Sequence, residues 1–259
     1  MNILDKIIER KKIEVEKNKI NHPIAELEQS LFFRKETLSF KEFLLRDDKT
    51  GIIAEFKKRS PSKGIINNTS TVEEVTAAYA KYGASAISIL TDEEFFNGSL
   101  EDLLAATINE VPLLRKDFII DEYQLIESKA YGAEVILLIA ACLTRGEVKS
   151  LAGIAKSIGL NVLLEIHNDA ELGHICDDVD VVGVNNRDLK TFDVNINRSI
   201  ELAKSIPGNK VKISESGIDD VDTIRLLKQN GFKGFLMGEK FMKEKDPGKA
   251  FHDFVKELV

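Results

Sequence analysis

Ile52-Ile53-Ala54-Glu55-Phe56-Lys57-Lys58-Arg59-Ser60-Pro61-Ser62-Lys63-Gly64 is the stretch from which the rest of the chain is read. The apolar run around one carboxylate has the pattern of a buried strand, and it breaks at once into a Ser-Pro-Ser-Lys-Gly loop. Successive side chains alternate across a strand, so Glu55 and Lys57 project from the same face. Charged groups at the loop end of a core strand cost free energy unless they are paired or used. A structural ion pair and a functional pair explain this one strand about equally well. The other strands have to decide.

From residue 52 onward, short apolar runs recur at 52–56, 86–90, 111–115, 134–139, 161–166, 181–184, 211–213 and 234–237. Amphipathic segments lie between them. Ser70-Thr71-Val72-Glu73 has the capping-box pattern ahead of Val75, Ala78 and Tyr79, and further helices are predicted over about 122–131, 146–158, 219–230 and 247–258. Alternation of strand and helix at intervals of about 20 to 30 residues means parallel strands with helical crossovers. An open doubly wound sheet competes, but it usually carries a Gly-rich turn, and neither G-x-G-x-x-G nor G-x-x-x-x-G-K-[ST] is present. Eight strands in about 200 residues fit an α/β fold of the (β/α)8 TIM barrel type.

Residues up to about 48 form an N-terminal helical extension in this reading. Ile3, Leu4, Ile7, Ile8, Ile13 and Val15 roughly share a helical face, and a second helix is predicted after Pro23 through Ala25, Leu27 and Leu31. Phe32-Phe33 and Phe40 to Phe43 are expected to pack the extension on the barrel. With no linker or change of composition, the 259 residues read as a single domain.

Hydrophobic residues make up 43% of the chain and charged ones 31%, a balance able to bury a sizeable core. Thirty-six Lys and Arg against 43 Asp and Glu give a net charge of −7, which argues against a nucleic-acid or anionic-membrane partner. A phosphorylated metabolite remains open to a protein that gathers positive groups locally. Cys142 and Cys176 lie far apart and read as reduced, small apolar side chains, and no metal-ligand spacing is present. No signal-peptide core follows Met1, and no apolar run nears the roughly 20 residues of a membrane span. A cytoplasmic protein with neither metal nor cofactor is expected.

In such a barrel, chemistry belongs at the C-terminal strand ends. These ends carry Glu55 and Lys57, Arg115-Lys116-Asp117, Glu165-Ile166-His167, Asn185-Asn186-Arg187-Asp188, Glu215-Ser216-Gly217 and Gly238-Glu239. Ionisable or amide groups on at least five of eight ends favour a polar, mixed-charge site over a set of independent structural pairs. Ser216-Gly217 and Gly238-Glu239 offer backbone N–H groups at the seventh and eighth strands, the usual phosphate location of this fold, although glycines there can also serve tight turns.

The chain resembles the indole-3-glycerol phosphate synthase family over nearly its whole length. The resemblance rests on Ala54-Glu55-x-Lys57-x-x-Ser60-Pro61-Ser62, Leu90-Thr91-Asp92-Glu93-x-Phe95-Phe96-Asn97-Gly98-Ser99, Lys116-Asp117-Phe118, Leu164-Glu165, Gly183-x-Asn185-x-Arg187-Asp188-Leu189 and Glu215-Ser216-Gly217-Ile218. It implies conversion of 1-(2-carboxyphenylamino)-1-deoxyribulose 5-phosphate to indole-3-glycerol phosphate, without a cofactor. It implies Lys116 as general acid and Glu165 as base and proton shuttle, with Glu55 orienting hydroxyls. Lys57 would assist dehydration or hold the substrate's anionic groups, and Asn185 would hydrogen-bond the substrate. Ser60 and Arg187 are candidates for its carboxylate. Phe96, Phe118 and Leu189 would wall the aromatic ring, while Ser216, Gly217, Gly238 and Glu239 would hold the phosphate. Glu239 departs from the serine of some relatives. A monomer is expected, with at most weak association with other tryptophan-pathway enzymes.

Other signals read more plainly. Ser60-x-x-Lys63 and Lys49-Thr50-Gly51 mimic penicillin-binding motifs in the wrong order and without S-D-N. His22, His174 and His252 read as surface residues, and His167 reads as a loop residue more readily than a site residue. A phosphoribosylanthranilate isomerase would need a cysteine at the first strand end, where none stands. A non-catalytic phosphometabolite-binding subunit would have no need of both Lys116 and Glu165.

Overall fold

The computed structural model describes residues 3–188, 191 and 193–258, so Leu189 lies outside the described residues. Eight parallel strands close into a barrel: β1 (Ile52–Phe56), β2 (Ala86–Leu90), β3 (Leu113–Lys116), β4 (Val135–Ile139), β5 (Asn161–Ile166), β6 (Val181–Asn185), β7 (Val211–Glu215) and β8 (Gly234–Met237). β8 pairs with β1, placing Ile52 opposite Phe235, and no edge is left open. The barrel lies where the sequence pattern put it.

The strands are apolar on both faces because both faces are buried. Ile53, Leu114, Leu137, Leu163, Ile213 and Leu236 fill the interior, while Ile52, Ala54 and Phe56 of β1 face the helical layer. One period further along the inward face, apolar residues give way to Glu55, Lys116, Glu165, Asn185 and Glu215. The alternation that fills the core therefore delivers these five polar groups to one rim.

Helices Val72–Lys81, Glu122–Ala130, Arg145–Ser157, Val221–Gln229 and Pro247–Leu258 match the predicted segments. Leu100–Ala105 and Ile196–Ala203 were not predicted; the first is too short to show helical periodicity. Between β5 and β6 the crossover contains a 3-10 segment, Asp169–His174, and a two-residue hairpin, Arg59–Ser60 with Gly64–Ile65, follows β1.

The extension departs from expectation in its second helix, which is a single turn, Ile24–Leu27, followed by a 3-10 turn at Leu31–Arg34. Ser30 caps that turn by accepting from the N–H of Phe32 and donating to the carbonyl of Ala130. Helix α1 (Ile3–Asn21) lies at the polar rim, where Ile3, Leu4 and Ile7 help line the cavity. Lys11 of α1 is fully buried, with Nζ 2.9 Å from Asp117, 3.0 Å from Asp92 and 2.9 Å from Glu14. At the other end of the barrel, helix Phe40–Leu45 sends Phe40 and Leu44 into the interior cluster. Asn161 fixes this plug, accepting from the N–H of Phe40 and donating to the carbonyl of Leu38.

Phe40→Ala should therefore destabilise the fold by about 3–5 kcal/mol, the range for a buried Phe truncated in a packed core. Urea unfolding measures this, and a loss below about 1 kcal/mol would show that the plug does not seal the barrel.

Candidate active site

The polar strand ends enclose a cavity of about 260 Å³. Glu55, Lys57, Ser60, Phe96, Lys116 and Phe118 line it. So do Glu165, Asn185, Arg187, Ser216, Gly217, Gly238 and Glu239. Every site residue expected from sequence is thus brought together, apart from Leu189.

Glu165 stands at the centre. Its Oε2 lies 3.4 Å from Lys116 Nζ, while Oε1 accepts from Asn185 Nδ2 at 3.1 Å. Asn185 is itself oriented, because its Oδ1 accepts from the N–H of Arg187 at 3.0 Å. Burial opposes ionisation of Glu165, but Lys116 and His167 outweigh it and hold the carboxyl well below its ordinary range. Burial likewise opposes the charge on Lys116, and the carboxylates of Glu165, Glu215 and Glu55 hold the ammonium above the ordinary lysine range. Lys116 is a charged donor aimed at the cavity and Glu165 a charged acceptor beside it.

Glu55 and Lys57 form the pair that strand alternation predicted, 2.7 Å apart. They stand on one wall rather than at the centre. Phe96 and Phe118 form an apolar wall with ring centroids 6.2 Å apart. Phe96 closes the one-turn helix Glu93–Phe96, capped by Asp92, which accepts from the N–H of Phe95.

The loop after β7 is conformationally special. Ser216 and Gly217 have φ of +70° and +67°, a left-handed backbone that a serine adopts only under constraint. Buried Asn186 supplies the constraint, donating to the Ser216 carbonyl at 2.7 Å and to Ser214 Oγ at 3.0 Å. Gly238 caps the one-turn helix Glu239–Met242. A side chain at 238 would come within 2.8 Å of Glu55 Cβ, so this glycine is required by packing against Glu55 as well as by access to the loop. The carboxylate of Glu239 lies 3.7 Å from Lys63 Nζ.

Three features escaped the sequence reading. Ile3, Leu4 and Ile7 reach the cavity from α1, a contact no local pattern reveals. Glu215 was quoted as part of a motif but given no role; it is 1% exposed, and Gly183 makes room for it, since a Cβ there would fall 2.0 Å from Glu215 Oε1. Burial and then the charge of Glu165 push Glu215 up to about 8, so it is a neutral acid at neutral pH. His167, expected in a loop role, is buried with Nε2 3.1 Å from Glu165 Oε1. Of the other histidines, His22 is exposed, half-buried His174 lies 3.0 Å from the carbonyls of Glu171 and Leu143, and half-buried His252 stacks on Tyr82 at 4.0 Å, so the last two are not the free surface residues expected. Burial pushes the Cys142 thiol up to about 12, consistent with an inert small side chain.

These features define a class: a (β/α)8 enzyme with a charged lysine–glutamate centre, an aromatic wall and two backbone-rich loops at the seventh and eighth strands. A family profile described as indole-3-glycerol phosphate synthase matches residues 4–254. The chain is 46% identical over 258 residues to the indole-3-glycerol phosphate synthase of Bacteroides thetaiotaomicron, covering 99% of each chain. It is 43% identical over 255 residues to that of Alkaliphilus metalliredigens, covering 97% of each. A tryptophan synthase α-subunit from Pyrococcus furiosus shares the fold at a TM-score of 0.62 and 15% identity, over 82% of this chain and 98% of that one. A 3-hexulose-6-phosphate synthase does so at 0.61 and 11%, over 80% and 99%. The chain belongs to the indole-3-glycerol phosphate synthase family.

Glu215 makes a pH prediction. Its carboxyl ionises near 4.5 when unfolded and near 8 in the fold, so the native state binds the extra proton between these values. Its contribution to stability is full below about pH 4.5 and is lost as pH rises to about 8. Glu215→Gln should remove that part of the slope, read as Tm against pH. A slope equal to wild type would show that Glu215 is ionised in the fold.

Proposed function

We propose that Lys116 and Glu165 are the acid and base of ring closure in this chain. The activity is that of its family: indole-3-glycerol phosphate synthase, a carboxy-lyase of tryptophan biosynthesis acting on a small phosphorylated substrate. The substrate, 1-(2-carboxyphenylamino)-1-deoxyribulose 5-phosphate, must bring its carboxylate-bearing ring carbon to its ketone. The observation that carries the reading is the Lys116 ammonium, 3.4 Å from the Glu165 carboxylate and directed into a cavity with an aromatic wall.

As the ring carbon attacks, negative charge gathers on the ketone oxygen, and Lys116 donates its proton there. Loss of carbon dioxide then restores the aromatic ring. The hydroxyl left by the first step departs as water once protonated, and the base removes the proton whose loss forms the indole double bond. Glu165 takes that proton. Neutral Glu215 beside it relieves the repulsion that two carboxylates would exert. Lys57, paired with Glu55, is the second cation available for the departing hydroxyl.

Ser60 and Arg187 bind the substrate carboxylate, and Phe96 and Phe118 pack the aromatic ring. The phosphate binds at Ser216, Gly217, Gly238 and Glu239 through backbone N–H groups. Lys63, 3.7 Å from the Glu239 carboxylate, offsets its charge near that site. We read the protein as a monomer of the cytoplasm, which rests on its sequence.

Lys116→Ala should lower kcat by at least about a thousandfold with little change in substrate affinity, measured by the fluorescence of the indole product. Near-normal kcat would remove Lys116 as the acid. Inorganic phosphate should inhibit competitively; purely noncompetitive inhibition would separate the phosphate loops from the substrate site.

A further inference from the structure

His167 is not among the side chains lining the cavity, and the scheme above assigns it no step. It stands two residues beyond Glu165, on the same inward side of the β5 end. Its side chain is 6% exposed and lies between two carboxylates, with Nε2 3.1 Å from Glu165 Oε1 and Nδ1 3.3 Å from Glu171 Oε2. Glu171 also accepts the backbone N–H of His167 at 2.7 Å, which ties the ring's own backbone to the outer carboxylate. A neutral imidazole has one N–H and one lone pair, so it would present the lone pair to one of these anions. The Nε2–Oε1 approach is a charge contact without hydrogen-bond alignment, so it is the ring's positive charge that serves Glu165, and only the imidazolium presents that charge to both anions.

We propose that protonated His167 is a positioning residue for Glu165, holding Oε1 from behind and keeping the carboxylate ionised and aimed through Oε2 at Lys116. This rests on the reading of Lys116 and Glu165 as acid and base. When the Lys116 N–H bond breaks and its proton joins the ketone oxygen, the ammonium becomes a neutral amine. Glu165 then loses its nearest cation while Glu215 and Glu55 remain nearby. A lone carboxylate would raise the proton affinity of Lys116 and resist the transfer. The imidazolium compensates that carboxylate throughout, which makes Lys116 the stronger acid.

The surroundings agree with a cation. Glu165 and Asn185 face His167 from β5 and β6, Lys116 and Glu215 lie across Glu165, and Cys142 follows β4. Glu171 comes from the Asp169–His174 segment, against whose Gly173 the Arg145 guanidinium packs. Burial opposes the charge on His167, but the two carboxylates outweigh it and push the imidazole up to about 10. Its contribution to folding is therefore full below about pH 6.5 and is lost as pH rises to about 10.

The test compares His167→Asn, Glu171→Gln and the double variant by steady-state kinetics against pH. His167→Asn should lower kcat at least about tenfold, change KM less than about threefold, and move the acidic limb of kcat/KM to higher pH as Glu165 becomes more basic. Glu171→Gln should do the same more weakly, and the double variant should be no worse than His167→Asn, because Glu171 acts through His167. Nitrogen-15 spectra of wild type at about pH 8 should show both ring nitrogens of His167 protonated. A wild-type pH profile in His167→Asn, or a neutral ring at that pH, would overturn the proposal. Glu165→Gln separates the two readings. Wild-type turnover in that variant defeats the acid/base scheme itself, whereas an inactive Glu165→Gln beside an unperturbed His167→Asn defeats only the role of His167.

Discussion

A single buried carboxylate governs this barrel's polar rim. Glu165 is 2% exposed, and an ion so far from water is stable only if opposite charge and hydrogen bonds surround it. Its two oxygens take different partners, with Oε2 facing Lys116 and Oε1 facing Asn185 and His167. Each partner is held in turn, Asn185 by the Arg187 N–H and His167 by Glu171. Glu215 is the consequence. A second carboxyl beside an ionised first one stays protonated, so one site holds a charged and a neutral carboxyl made from the same residue type.

A second network sets the position of Lys116 from outside the barrel. Lys116 points inward between Arg115 and Asp117, which point outward and are fully buried. Arg115 pairs with Asp117 at 3.0 Å and Glu127 at 2.8 Å, and Asp117 also takes Lys11 of α1. Breaking such a pair strands a buried charge and costs about 3–5 kcal/mol, so the end of β3 is fixed in place. The same contact holds α1 at the rim, where its first turn supplies apolar wall to the cavity. The extension therefore supplies part of the cavity wall as well as an ion pair to the end of β3.

The barrel was legible because its strands are apolar runs of the right length at regular spacing, and no long-range information is needed to see that. The polar rim was legible for the same reason: period-two alternation alone puts Glu55 with Lys57 and aims Lys116 and Glu165 inward. Lys11 could not be read, since a lysine on an amphipathic helix looks solvent-exposed until Asp92 and Asp117 are brought to it from elsewhere in the chain. Glu215 was visible as a motif, but its neutrality depends on the approach of Glu165, which sequence does not encode locally. His167 follows the end of β5 as expected, but its burial could not be read, because its partner Glu171 lies on the 3-10 segment Asp169–His174 rather than nearby on the strand. Gly238 was read as an opening for phosphate, whereas closeness to Glu55 demands a glycine there in any case.

Everything at the rim turns on Glu165 and Glu215 holding opposite protonation states in one site. Carbon-13 NMR of the glutamate side-chain carboxyls, followed from about pH 4 to about pH 9 and assigned with the Glu165→Gln and Glu215→Gln variants, measures this directly. The Glu165 resonance should stay ionised across the whole range, and the Glu215 resonance should titrate near 8. Two carboxyls titrating together near the ordinary glutamate value would contradict the opposite charge states.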